Sequence, residues 1–354
     1  MIDSHSHLNL APLGSNLTEV LRKAKQNGVK RIMVPGITPA SWKVLSSFNS
    51  QPYCDILPID TAIGLHPYFL PKERDEIPPL LKQFEEAVAG GVVNTKESLS
   101  VAEGALPNSQ GFLAVAQGCD PEAQGCSSNA QGCPLVAQGC SSSAQGCSSS
   151  AQGCLSNAHG CPPVAQGCLS SAQGCLSSAK GCLSAIGETG LDGHIPVDMN
   201  VQKQVLHAHL DIADSFGLPV ILHHRKSHHL LFEALKASSF EGRGVIHAFS
   251  GSTDVAKRYI DRGFCLGIGG TITYERAKKT KDTVTYLLRH HPESILLETD
   301  APDMPMSGRQ GQPNMPHYLT DVVAALSGLS EIEPNEIKTI TSANYARLFK
   351  PFLF

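Results

Sequence analysis

Short apolar runs alternate with amphipathic stretches along most of this 354-residue chain. The apolar runs have the length of buried strands, and the stretches between them place their apolar residues on one face of a helix. A strand followed by a helix, repeated eight times, indicates an α/β fold of the parallel (β/α)8 TIM-barrel type. Strands are predicted at residues 1–5, 31–36, 61–66, 185–188, 219–223, 244–247, 264–269 and 294–300. Helices are predicted at residues 17–27, 39–48, 77–89, 201–216, 227–237, 254–262, 280–289 and 317–326.

A doubly wound parallel sheet is the alternative architecture. Such a sheet normally carries a glycine-rich phosphate-binding turn after its first strand. In this chain the glycine-rich strand end, at residues 267–270, comes late. The pattern therefore favours the closed barrel.

A low-complexity segment from about Thr95 to Ser184 interrupts the barrel pattern. It consists mainly of Ser, Ala, Gly, Gln and Cys, and its cysteines recur every seven residues from Cys119 to Cys182. A glycine in every repeat costs about 1 kcal/mol in a helix, and no regular apolar positions support a coiled coil. We therefore predict a disordered insert at residues 95–184, between the third helix and the fourth strand. The barrel is predicted to consist of residues 1–94 and 185–354.

Composition limits the classes of partner. A net charge of -4 argues against a broad electropositive surface for duplex DNA. No apolar run approaches the roughly 20 residues that cross a bilayer, and the first residues do not resemble a signal peptide. Only Cys54 and Cys265 lie outside the repeat, which is typical of a reduced intracellular protein. We expect a cytoplasmic protein without membrane contact, and no specific protein partner is indicated.

Several predicted strands end in residues that bind metal ions. His5 and His7 lie two residues apart on an extended chain, so their side chains face the same side. The carboxyl ends of all strands meet on one rim of a barrel, where we expect these residues to converge. Polar groups gathered there would be costly to bury without cations. The candidate ligands are His5, His7, Glu188, His223, His247 and Asp300.

These residues stand in motifs that resemble those of the TatD family of metal-dependent deoxyribonucleases and hydrolases. Residues 344–349 are similar to the family's closing segment, and residues 269–273 and 310–316 most resemble its YjjV branch. The motifs follow the family's order: Asp3-Ser4-His5-Ser6-His7, Gly64-Leu65-His66-Pro67, Gly187-Glu188-Thr189-Gly190-Leu191-Asp192, His223-His224-Arg225, His247-Ala248-Phe249-Ser250-Gly251 and Glu298-Thr299-Asp300-Ala301-Pro302.

The resemblance implies an amidohydrolase-like TIM barrel that holds two divalent metal ions. Four imidazoles favour Zn²⁺ or Mn²⁺, and Mg²⁺ stays an alternative because the family is often described as Mg-dependent. Glu188 and Asp300 are the predicted catalytic residues, with Asp300 orienting the attacking water or accepting its proton. The first ion is assigned to His5, His7, Glu188 and Asp300, and the second to His223 and His247, with Glu188 shared.

Two further residues at the same rim are predicted to contact the substrate. His66 ends the third predicted strand and Arg225 follows the fifth. A planar guanidinium suits a phosphate through two parallel hydrogen bonds. The alternatives are a structural histidine held by the Pro67 turn and a salt bridge from Arg225 to Asp303.

Other polar residues near the strand ends receive structural interpretations. Asp192 is expected either to orient a ligand histidine or to cap a helix. His207 and His209 lie two apart on a helix, so they face different ways and cannot chelate one ion. Three histidines after the fifth strand are predicted to face solvent: His224, His228 and His229.

The leading functional hypothesis is a metal-dependent hydrolase of the deoxyribonuclease type. It would hydrolyse phosphodiester bonds at DNA ends with a water activated by two metal ions. A hydrolase of a small phosphoester, amide, ester or lactone is the alternative, because related barrels with the same metal geometry cleave such bonds. A hypothesis from another class is a metal-bound scaffold whose repeat recruits partners.

Overall fold

The predicted alternation of strands and helices is present in the computed structural model, which describes residues 1–48, 53–105 and 183–349. The strands are parallel and follow one another around the sheet in chain order. Between the first and last strands, Ser4 N donates to the Leu297 carbonyl at 2.8 Å, and Asp300 N donates to the His5 carbonyl at 2.9 Å. These bonds join the two sheet edges, so the predicted (β/α)8 barrel is confirmed. The strands are β1 (Ile2–Asp3), β2 (Arg31–Gly36), β3 (Ile59–Ile63), β4 (Leu183–Asp192), β5 (Val220–Arg225), β6 (Gly244–Ile246), β7 (Phe264–Ile268) and β8 (Ile295–Leu297).

The helices agree with the amphipathic stretches, with two additions that the pattern did not predict, α3 and α10. Among the described residues, no helix combines the length and apolar character needed to cross a bilayer. The helices are α1 (Leu17–Gln26), α2 (Pro39–Phe48), α3 (Tyr53–Ile56), α4 (Ile77–Ala105), α5 (Met199–Phe216), α6 (His228–Ala237), α7 (Thr253–Ile260), α8 (Lys278–His290), α9 (Leu319–Leu329) and α10 (Pro334–Phe349).

The fourth strand begins at Leu183, two residues before the predicted strand and inside the segment assigned to the insert, and it continues to Asp192. Leu183 pairs with Thr61 of β3, whereas the apolar pair Val92 and Val93, before the low-complexity segment, lies in α4. Helix α4 continues to Ala105, beyond its predicted end at residue 89 and into the predicted insert. Most of the insert, including the cysteine repeat, lies outside the described residues. The predicted disorder of that part therefore stays a prediction.

The barrel unit consists of Met1–Val92 with Gly181–Phe354, and a second unit, Val93–Lys180, is described only at its helical residues 93–105. The barrel unit buries two apolar layers. Ile32 and Val34 belong to the outer layer, while Met33 between them belongs to an inner cluster. This alternation is expected for a strand whose two faces are both buried. The inner cluster comprises Met33, Ala62, Ala185, Ile221, Val245, Cys265, Leu296, Tyr345, Leu348 and Phe349.

Candidate metal centre

The six residues predicted as metal ligands lie together where the strands end. Parallel strands in a closed barrel present their carboxyl ends on one rim, and the polar residues follow directly after the apolar strand segments. Four of the six side chains are almost fully buried, and the other two are half-buried. His5 and His7 follow β1, Glu188 lies in β4, His223 lies in β5, His247 follows β6 and Asp300 follows β8.

The carboxylate of Glu188 stands at the centre of this group. Its Oε2 lies 3.1 Å from Nε2 of His5 and 3.4 Å from Nε2 of His7. Its Oε1 lies 3.0 Å from Nδ1 of His223 and 3.7 Å from Nε2 of His247. Nε2 of His66 lies 3.3 Å from the same Oε1, so the two carboxylate oxygens face different sets of imidazoles.

Asp300 is the second carboxylate of this group. Its Oδ1 lies 3.7 Å from Nε2 of His5 and 3.6 Å from Nε2 of His7, and its Oδ2 lies 3.7 Å from Nε2 of His247. Asp300 has a φ of 59°, a left-handed conformation that is uncommon outside glycine and that occurs frequently at functional sites. Both carboxylates thus face the same imidazole nitrogens.

The pKa shifts reflect strong charge coupling in a buried space. Burial opposes ionisation of Glu188, but the nearby imidazoles, His66 and His5 foremost, hold its pKa well below the usual range. Burial raises the pKa of Asp300 to about 6, although His247 and His7 act against this shift. Burial alone would lower the pKa of His247, but the carboxylates around it, Glu298 first, raise it to about 10.

This donor set fits divalent cations. Buried carboxylates need a compensating positive charge, which either protonated imidazoles or a metal ion can supply. Imidazole nitrogens and carboxylate oxygens are the ligands that Zn²⁺ and Mn²⁺ use in proteins. In the part of the chain that the structure describes, three groups of residues have ligand atoms within 4.8 Å of one another: His5, His7 and Asp300; His5, His247 and Glu298; and His66, Glu188 and His223.

Glu298 is a site residue that the sequence analysis did not assign. Its Oε1 lies 3.1 Å from Nδ1 of His247 and accepts a hydrogen bond from Ala248 N at 2.6 Å. A carboxylate beside Nδ1 favours the tautomer whose Nε2 lone pair is free to bind a metal ion. The signal was available: Glu298 precedes Asp300 by two residues, the spacing that placed His5 and His7 on the same side.

Asp192 supports His223. Its Oδ2 lies 3.3 Å from Nε2 of His223, and its Oδ1 accepts a hydrogen bond from His194 N at 2.7 Å. The alternative of a helix cap is wrong, because Asp198 occupies the N-cap of the following helix α5. Between Glu188 and Asp192, Gly190 has a φ of 150°, and a Cβ there would lie 2.1 Å from the His223 carbonyl oxygen. A glycine is therefore required where β4 passes β5.

His66 lies beside Glu188 as a hydrogen-bond donor. The backbone N–H of Tyr68 donates to its Nδ1 at 3.1 Å, and its Nε2 lies 3.3 Å from Oε1 of Glu188. A backbone N–H can only donate, so Nδ1 carries no proton and Nε2 carries it in the neutral ring. Burial lowers the pKa of His66, which keeps the ring neutral. The geometry favours a donor over a metal ligand.

The remaining predicted residues divide between exposed and buried positions. Arg225 is exposed at the carboxyl end of β5. Burial acts to raise the pKa of Asp192, but its hydrogen bonds with His223 and His194, and the charges of His223 and then Arg225, hold that pKa below its usual value. The prediction that His224 faces solvent is wrong. It is buried and stacks on the half-buried ring of His228, with centroids 4.1 Å apart. His224 follows the site residue His223 on β5, so its side chain points to the other face of the strand. In a barrel that face is covered by helices, which buries the side chain.

His209 has a structural role. Its ring is fully buried and stacks on Phe84 with centroids 3.9 Å apart. Its Nε2 accepts the backbone N–H of Leu65 at 3.0 Å, and its Nδ1 lies 2.8 Å from the Val205 carbonyl oxygen. His209 thereby holds the segment that carries His66.

Comparison with protein families gives a direct match over the second part of the chain. The family model described as TatD related DNase matches residues 170–350, half of the chain. An uncharacterized metal-dependent hydrolase from Haemophilus influenzae is 40% identical over 171 residues, which are 47% of this chain and 64% of that protein. The uncharacterized metal-dependent hydrolase YjjV from Escherichia coli is 44% identical over 167 residues, 47% of this chain and 63% of that protein. These matches span just under two thirds of the relatives' length.

Solved structures extend the similarity to the whole fold. The structure of YjjV, a TatD homolog from Escherichia coli K12, has a TM-score of 0.66 and 27% identity, covering 99% of this chain and 97% of that chain. A TatD family hydrolase from Entamoeba histolytica has a TM-score of 0.60 and 15% identity, covering 99% and 98%, and supports the fold alone. The resemblance predicted from the strand-end motifs is confirmed, and the chain belongs to the family of TatD-related DNases.

Proposed function

We propose that this chain is a metal-dependent phosphodiesterase that hydrolyses DNA ends. The observation that carries the proposal is the buried carboxylate of Glu188, which has imidazole nitrogens of His5 and His223 at 3.1 and 3.0 Å on its two oxygens. Such a group at the carboxyl rim of a barrel is suited to holding cations and to hydrolysis. Membership of the TatD-related family supports the same reaction class.

The proposal assigns each ligand to one of two divalent ions. Ions bound there would polarise a phosphoryl oxygen and lower the pKa of a water molecule. Glu188 is assigned to both ions because one of its oxygens faces His5 and His7 and the other faces His223 and His247. The assignment is His5, His7, Glu188 and Asp300 for one ion, and His223, His247 and Glu188 for the other.

The protein groups around this centre have distinct roles in the proposal. Asp300 orients the attacking water and accepts its proton, because its two oxygens face the imidazoles of both ion sites. Glu298 and Asp192 hold His247 and His223 in the orientation that ligation needs. His66 and Arg225 contact the substrate phosphate from the same rim.

Release of nucleotides from single-stranded DNA tests the proposal. The wild-type chain is assayed with Mn²⁺, Zn²⁺ or Mg²⁺, beside a Glu188→Gln variant that keeps the side-chain shape and removes the charge. We expect wild type to release nucleotides only with added metal, and Glu188→Gln to lose about 100-fold or more of that rate. The matched control is Glu19→Gln, which makes the same change at an exposed position of α1.

Two outcomes contradict the proposal. Equal rates for wild type and Glu188→Gln would contradict the assignment of this site. Metal-dependent hydrolysis of carboxylic esters or lactones, without hydrolysis of DNA, would indicate a hydrolase of small substrates. The same samples are therefore assayed on both substrate classes.

A further inference from the structure

Tyr68 and Phe69 form an exposed aromatic pair at the mouth of the barrel. Tyr68 is 63% exposed and Phe69 is 50% exposed, and they follow β3 at its carboxyl end. Among the described residues, the other large apolar side chains with comparable exposure are Met304, which follows β8, and Val44 on α2. Three of these four side chains therefore lie after carboxyl ends of strands, on the rim that carries the candidate metal centre.

A rigid turn presents the two rings. Residues Pro67–Phe69 form a 3-10 turn whose first residue is proline, and Nδ1 of His66 caps it by accepting Tyr68 N at 3.1 Å. Pro67 and Leu70, on either side of the pair, are buried and anchor the turn. The rings contact each other edge-on with centroids 5.1 Å apart. Because the turn is already ordered, a ligand that stacks there loses little free energy to ordering of the protein.

The pair is continuous with the candidate metal centre. The ring of Phe69 lies 5.9 Å from that of His66, whose Nε2 is 3.3 Å from Oε1 of Glu188. His66 also contacts His223, with ring centroids 4.4 Å apart. The exposed cation Arg225 ends β5, the strand of His223. A ligand that fits this rim has an anionic group that contacts the histidines and Arg225. It also has a flat apolar group that contacts the aromatic pair, about the length of one side chain from the anionic group.

We propose that Tyr68 and Phe69 form a stacking platform for a base of single-stranded DNA whose scissile phosphate lies at the candidate metal centre. This inference rests on the proposed function and names the part of the substrate that the aromatic pair recognises. Nucleotides combine a phosphate and a flat base within one residue, whereas a small aliphatic ester has nothing to stack. Stacking tolerates every base because each has an aromatic face, so the platform gives affinity without sequence preference.

Abasic oligonucleotides test the platform. Single-stranded substrates carry one abasic residue at the first, second or third position from the cleaved end, and kcat and KM are measured for each. With wild type, we expect one abasic position to lower kcat/KM about fivefold to a hundredfold, mainly through a higher KM. The double variant Tyr68→Ala/Phe69→Ala is expected to show a similar loss on the intact oligonucleotide and no further loss at that abasic position.

Two further variants separate stacking from folding. Tyr68→Phe keeps the aromatic ring and is expected to show the abasic penalty at the same position as wild type. Val44→Ala removes an exposed apolar side chain on α2 and is expected to change neither the kcat/KM nor the abasic penalty. Both rings of the pair are exposed, so thermal unfolding of the double variant is expected to match that of wild type.

The outcomes distinguish this inference from the proposed function. The platform is overturned if wild type cleaves DNA without any abasic penalty, or if the double variant keeps the penalty. Neither result contradicts the proposed function. Binding of the same oligonucleotides is also measured by fluorescence anisotropy without added metal. If wild type binds the oligonucleotides but does not cleave them, the proposed function alone is contradicted. If the double variant binds as tightly as wild type, or if wild type does not bind, the platform is overturned.

Discussion

Backbone N–H groups determine the tautomers of two histidines near the barrel mouth. Tyr68 N donates to Nδ1 of His66, and Leu65 N donates to Nε2 of His209. In each ring the accepting nitrogen carries no proton, so the other nitrogen is the donor. His66 is thereby directed at Glu188, and His209 is directed at the Val205 carbonyl oxygen. These two rings anchor the segment that carries the proposed substrate contacts.

The neutral state of His209 predicts a pH dependence of stability. Burial lowers its pKa from 6.5 to about 3, so between these values the unfolded chain binds a proton that the folded chain does not. Stability therefore falls as the pH falls below 6.5, by about 2 kcal/mol between pH 7 and pH 5 from this residue. Chemical unfolding of wild type and His209→Gln at both pH values measures this loss. We expect the variant to have the smaller loss, and equal losses in the two proteins would contradict the account.

Residue identities at the site were largely predictable, because each predicted ligand directly follows or ends an apolar run. Glu298 was missed although it shares the two-residue spacing with Asp300. The burial of His224 could not be predicted from alternation, because both faces of a barrel strand are covered. The contacts of His209 depend on a helix and a loop that are far apart in sequence.

At the scale of elements, the repeated strand and helix pattern predicted the barrel but not its closing helix. Helix α10 begins with Pro334, a residue favoured in the first helical turn, and contributes Tyr345, Leu348 and Phe349 to the inner cluster. This helix follows the eighth strand and helix unit, so the repeated pattern that predicted the barrel does not predict it. The hydroxyl of Tyr345 donates to Oδ2 of Asp60 at 2.7 Å, which links this helix to the amino-terminal part of β3.

The hydroxyl of Tyr345 is therefore expected to stabilise the fold. Asp60 is buried, and Tyr345→Phe would leave it with one donor fewer, although Arg31 remains 2.9 Å from its Oδ1. We expect a free energy of unfolding lower by about 1–3 kcal/mol, with unchanged hydrolytic activity. Denaturant unfolding measures the change, and Tyr286→Phe on the half-buried face of α8 serves as the control. A stability equal to that of wild type would contradict the assigned role of this hydrogen bond.

At the scale of the whole molecule, the site depends on closure of the barrel. His7 N donates to the Ala301 carbonyl at 2.7 Å, and Asp300 N donates to the His5 carbonyl at 2.9 Å. Residues from opposite ends of the sequence are thereby held beside Glu188, which follows the low-complexity segment. The order of the strands made this convergence predictable, whereas the distances between ligand atoms depend on strand register. The predicted insert lies largely outside the described residues, and its role stays a hypothesis.

The imidazoles and carboxylates around Glu188 are proposed to bind divalent cations together at the barrel mouth. Anomalous X-ray diffraction from crystals grown with Mn²⁺ or Zn²⁺ measures this most directly, because it locates the ions. We expect anomalous peaks about 2.0–2.2 Å from histidine nitrogens and carboxylate oxygens of the group around Glu188. Crystals that bind the ions elsewhere and show no peak between His5, His7, Glu188 and Asp300 would contradict it.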